Sequence, residues 1–137
     1  MTTTLTPTGL FADATRLLRV ALRLDSVVTG ANGVLYLALA GPLEDLLGLN
    51  PGIARGIGAF LLVYAVAVWL VSVPARPGRM AVTAVVETNL LWTVLSIATV
   101  IFGWFSLTTV GATWAVFQAV TVAGFAVLQY TALRRTR

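Results

Sequence analysis

"VPARPGR", residues 73–79, is the stretch on which the fold turns. Pro74, Pro77 and Gly78 stop any helix that reaches them. Arg76 and Arg79 place two fixed charges beside the break. On either side the chain is apolar for about twenty residues, the length that crosses a hydrocarbon core of roughly 30 Å at 1.5 Å per helical residue. The pattern therefore predicts two membrane-crossing helices, over 53–73 and 80–102, joined by a basic turn.

Two further apolar runs predict spans over 24–43 and 110–133. The connection "GPLEDLLGLNPGIARG", residues 41–56, carries the chain breakers Pro42, Asn50, Pro51 and Gly52. The connection "GWFSLTT", residues 103–109, is uncharged, and its Trp104 and Phe105 suit a membrane–water boundary. Residues 1–23 are polar and then amphipathic, with Arg16, Arg19 and Arg23 at helical spacing against Leu17, Val20 and Ala21. This segment reads equally as a helix in the headgroup layer or as an extension of the first span. Ala38-Leu39-Ala40 resembles a signal-peptidase site, but the long basic region before it, with Asp13 and Asp25, argues for an uncleaved span. The expected fold is all-α: residues 1–137 form one domain, an up-down-up-down bundle of four transmembrane helices with an N-terminal amphipathic segment.

Composition agrees. Only 10% of the residues are charged and 58% are apolar, whereas a soluble domain carries about 25% charged residues. Every basic residue is Arg, and Ala, Val, Leu and Gly dominate, as in chains from GC-rich bacterial genomes. Arg16, Arg19 and Arg23, then Arg76 and Arg79, then Arg134, Arg135 and Arg137 fall on one side of a four-span chain, with Arg55 alone on the other. The positive-inside rule then puts both termini in the cytoplasm of a bacterial inner membrane. A pI near 10.7 raises nucleic acid as a partner, but basic residues grouped at span ends argue against it. With neither Cys nor His, disulfides, thiol chemistry and His-ligated haem or zinc are excluded. No cofactor is expected.

Polar residues inside spans are the candidates for function. Glu87 lies seven residues into its predicted span, about 10 Å deep by helical rise. Asn32, Gln129 and Tyr130 fall at comparable depth on other spans and make, with Glu87, the expected intramembrane cluster. Asn89 points about 200° away from Glu87 around the helix and is assigned to another neighbour. Asp25 is read as shallower, facing headgroups or Arg23, and Trp69, Trp92, Tyr36 and Tyr64 could line a ligand pocket. Helix contacts are expected at small residues, namely Gly52 and Gly56 in one span and Gly111, Ala115, Ala119 and Ala123 in another.

Four spans and one prominent intramembrane acid resemble the plan of the small multidrug-resistance transporters, whose acid lies in the first helix, where this chain has Asn32. Size, span count and an Arg-flanked first helix also resemble the DoxX-like and other small four-helix proteins of bacteria. The residues themselves contain no nucleophile–base pair, phosphate loop or metal-ligand set. The leading expectation is a non-enzymatic membrane assembly or accessory protein. Its partners would be the lipid bilayer and a second copy or another membrane protein. The alternatives are a proton-coupled transporter using Glu87 and a lipid- or quinone-binding protein.

Overall fold

The computed structural model describes residues 7–136, with side chains from Asp13 onward; residues 1–6 of the expected amphipathic segment, and Arg137, lie outside them. Five helices run in order: α1 (Pro7–Ala38), α2 (Ala40–Leu47), α3 (Pro51–Ser72), α4 (Arg79–Phe102) and α5 (Thr109–Arg135). The described residues form an all-α bundle. Helices α3, α4 and α5 are each long and apolar enough to cross a membrane, and the bent pair α1–α2 makes a fourth span if counted as one. This is a multi-pass membrane protein.

The N-terminal segment is no separate element: from Pro7 it continues into the first span as a single helix of 32 residues. That is about 48 Å at 1.5 Å per residue, longer than the hydrocarbon core. The predicted span over 24–43, in contrast, is cut short. Pro42 has no N–H and its ring would meet the carbonyl of the residue four before it, Ala38. The chain breaks at Leu39, and α2 leaves at 94° to α1.

Local chemistry sets the other ends. Gly48 closes α2 in the left-handed region at φ 75°, where its N–H bonds to the Glu44 carbonyl. Asn50 caps α3 by accepting from the N–H groups of Gly52 (2.8 Å) and Ile53 (3.4 Å), with Pro51 in the first turn. Thr108 caps α5 by accepting from the Gly111 N–H, and its hydroxyl donates to the Leu46 carbonyl (2.7 Å), tying α5 to α2. At the opposite end arginines take the free carbonyls. Arg19 donates to those of Ser72 and Val73 at the end of α3, and Arg79 to that of Leu133 in the last turn of α5.

α1 packs along α3, α4 along α5, and α1 bridges the two pairs through α5, while α3 and α4 touch at few positions. The α1–α3 contact is backbone on backbone. A Cβ on Gly58 would sit 2.8 Å from the Gly33 carbonyl oxygen, and one on Gly33 would sit 2.9 Å from that of Gly58. Gly52 and Gly56, the expected pair, do not form this seam: Gly56 faces open space and Gly52 lies beside its own Asn50 cap.

The expected α5 stripe also divides. Gly111 abuts the Leu47 carbonyl of α2. Ala119 is buried and accepts from the Thr93 hydroxyl of α4 at 3.4 Å. Ala115 and Ala123 are half-buried. Four-residue spacing advances about 40° per step at 3.6 residues per turn, so a stripe this long cannot face one neighbour.

Candidate functional site

Polar residues recur along one face of α1 as Asp25, Thr29, Asn32 and Tyr36, at intervals of four, three and four. Such spacing keeps all four on one side of a helix. α5 runs antiparallel to this face and meets it in cross-helix hydrogen bonds. Nearest the chain termini, Gln129 Nε2 donates to Asp25 Oδ2 at 2.8 Å. Further along, Asn32 and Gln118 bond reciprocally, Gln118 Nε2 to Asn32 Oδ1 at 3.2 Å and Asn32 Nδ2 to Gln118 Oε1 at 3.4 Å. Beyond them, Trp114 Nε1 donates to the Tyr36 hydroxyl at 2.8 Å.

The first of these contacts is the centre of a closed network. Asp25 is 1% exposed, Asn89 3% and Gln129 0%. Asn89 Nδ2 of α4 donates to Asp25 Oδ2 (2.9 Å) and to Gln129 Oε1 (3.1 Å), while the Thr29 hydroxyl donates to Asp25 Oδ1 (3.0 Å). Tyr64 brings in α3, its hydroxyl 3.0 Å from Asn89 Oδ1 and 3.2 Å from the Val85 carbonyl oxygen. Beside it Ser26 donates to the Ala65 carbonyl at 2.6 Å. Three helices thus satisfy one carboxyl group with neutral donors, α3 joining the network through Asn89, and no buried side-chain polar atom among the described residues lacks a partner. Membrane-buried hydrogen bonds contribute about 0.6–2 kcal/mol each, and their directionality fixes helix register.

The expected cluster of Asn32, Glu87, Gln129 and Tyr130 is not brought together. Gln129 sits in the network above, whereas Asn32 pairs with Gln118 further along the bundle. Tyr130 is half exposed, with the Arg134 guanidinium 5.7 Å over its ring. Glu87 is exposed on the outer side of α4 and has no partner among the described residues. The buried acid is Asp25, and the α4 amide that meets it is Asn89. Common depth predicts that cluster, but helical phase decides which side chains meet. Asn89, Thr93 and Ser96 recur at four and three residues, and that phase marked the inward face of α4.

Between α1, α3, α4 and α5, in the half of the bundle away from the termini, lies a cavity of about 380 Å³. Its walls carry the rings of Tyr36, Trp92, Trp114 and Phe125, and the α2–α3 and α4–α5 connections cover one end with Leu49, Trp104, Phe105 and Leu107. Of the aromatic residues expected in such a pocket, Tyr36 and Trp92 line it, whereas Trp69 lies beneath the Arg23 guanidinium at 5.1 Å.

No charged side chain lines the cavity, but hydrogen-bonding capacity is left over there. Tyr36 accepts from Trp114 and keeps its own proton uncommitted. Gln118 uses one N–H on Asn32 and has a second. The Ser96 hydroxyl has no partner among the described residues. The described residues contain no group of three His, Cys, Asp or Glu side chains placed to hold a metal ion.

No protein-family model, curated protein or solved structure matches this chain.

Proposed function

We propose that this chain is a non-enzymatic protein of the bacterial cytoplasmic membrane, with both termini inside, that binds a small, mostly apolar molecule in its central cavity. The arginine distribution supports the orientation. The observation that carries the binding reading is the cavity itself. Its volume of about 380 Å³ falls in the range of roughly 300–1,000 Å³ found for small-molecule sites, which are typically apolar with a few convergent polar groups. Donors on three helices border one space and have no acceptor among the described residues.

Native mass spectrometry of gently extracted protein tests this. Wild type should retain a small molecule, and Ala115→Phe, which places a ring in the cavity, should lose it while remaining folded. Retention that is unchanged in the filled variant refutes the reading.

A second reading, assembly with another copy or another membrane protein, is favoured by Glu87. An acid presented outward from a membrane helix, without a partner among the described residues, is a costly feature in lipid and would be relieved by a neighbouring helix. The transporter reading gave Glu87 a proton to carry, but Glu87 does not adjoin the cavity.

A further inference from the structure

The cavity has a side as well as two ends. α3 and α4 follow one another in the chain but separate in space, meeting through Tyr64 at Val85 and Asn89 and through Phe60 stacked on Trp92, with centroids 6.0 Å apart. On the far side of that ring pair from Tyr64, the wall is divided between the two helices, with Ile57 on α3 and Leu95 and Ser96 on α4, while Leu61 lines the cavity at the level of the pair. Leu95 lines the cavity and yet is 46% exposed, and Phe60 is 47% exposed. The gap between α3 and α4 therefore faces the lipid, with apolar side chains on both edges.

The polar end of a ligand is constrained too. Tyr36, Gln118 and Ser96 offer hydrogen-bond donors, so an oxygen acceptor fits. An ion does not, because no charged side chain lines the space and both Asp25 oxygens are already committed to Thr29, Asn89 and Gln129.

Building on the cavity reading above, we propose that the ligand is an uncharged amphiphile taken from the bilayer. Its oxygen-bearing head occupies the cavity and its tail leaves between α3 and α4 across the Phe60–Trp92 pair. Such a molecule reaches the site sideways, without passing through water.

The test uses the full chain reconstituted in phosphatidylcholine bilayers doped with a monoacylglycerol that carries a diazirine in mid-tail. After irradiation, adducts are mapped by peptide mass spectrometry. They should concentrate on residues 57–63 of α3 and 92–96 of α4. A phosphatidylcholine with the same diazirine should label all lipid-facing helices evenly. Losing one donor, as in Tyr36→Phe or Gln118→Leu, should reduce the focused yield about fivefold, the equivalent of one hydrogen bond. Ala115→Phe, or Leu61→Phe should the first variant fail to fold, should abolish it. Unlabelled monoacylglycerol should compete, and a quaternary ammonium or carboxylate with the same tail should not.

Matching label patterns for the two lipids, or equal competition by the charged analogues, overturns the proposal. If native mass spectrometry of the same samples detects retained monoacylglycerol but its adducts map to the connection at 103–108, the lateral route falls while the cavity reading stands. If nothing is retained from any source, the cavity reading falls with it.

Discussion

The two halves of the bundle use the same residue types in opposite ways. Toward the termini, Asp25, Asn89, Gln129 and Tyr64 bond to one another, surrounded by a close-packed core that includes Leu18, Leu22, Val68 and Val82. Toward the other end, Asn32 with Gln118 and Tyr36 with Trp114 also cross from α1 to α5, but they border a cavity and leave donors over. A polar group in lipid is tolerable when it is satisfied within the protein. Complete satisfaction suits a fixed joint, and incomplete satisfaction suits a site that awaits a partner.

Breaking the closed half should have the largest effect. Asp25→Ala leaves donors on Thr29, Asn89 and Gln129 without their acceptor in a buried space. The expected loss is about 3 kcal/mol of stability, measured by unfolding in mixed micelles. Asp25→Asn should fall between this variant and wild type, because its amide retains one acceptor but turns two N–H groups toward a ring of donors. If Asp25→Ala unfolds like wild type, the network is not a joint.

Next in size is the α1–α3 crossing. Gly58→Leu forces a side chain into the Gly33 carbonyl and the Leu37 side chain, an overpacking expected to cost about 1–3 kcal/mol. Gly56→Ala, two residues away in open space, should be neutral or slightly stabilising, since Ala is the better helix former. The same micelle assay compares the pair, and equal losses would show that α1 and α3 do not meet at Gly58.

Much of this architecture was legible in the sequence, and the reason for the gaps is physical. The breakers at 74–78 and the apolar runs located the helices, because length and hydropathy suffice for spans. Phase was harder to read. In a soluble helix the apolar stripe marks the inward face, but here both faces are apolar and only the sparse polar residues carry phase. Those of α1 did so, at 25, 29, 32 and 36. Glu87 drew attention because it is charged, although it lies off the face defined by Asn89, Thr93 and Ser96. The α2 bend was signalled by Pro42, whose effect falls on the carbonyl four residues earlier rather than at the proline itself.

The open half should respond in the reverse manner. Replacing Asn32 and Gln118 together by Leu removes both members of a pair, so no donor is left stranded, and such exchanges are often close to neutral. Stability should change by less than about 1 kcal/mol, while the small molecule retained by wild type in native mass spectrometry is lost. A double variant that is badly destabilised would assign this pair to the scaffold and erase the contrast between the halves.

Glu87 sharpens the same distinction at its smallest scale. It contacts neither the closed network nor the cavity, so Glu87→Gln should leave the unfolding free energy within about 0.5 kcal/mol of wild type, as for surface positions generally. Ligand retention should also be unchanged. Any effect should appear in association, since a side chain presented to lipid can act only on what approaches α4 from outside. Measuring oligomeric state by light scattering in detergent separates the two roles. A shift in stoichiometry without a shift in midpoint makes Glu87 an interface residue. A fall in midpoint in an unassociated chain would instead require a partner for it within the bundle, and would remove the reason for placing Asp25 at the centre.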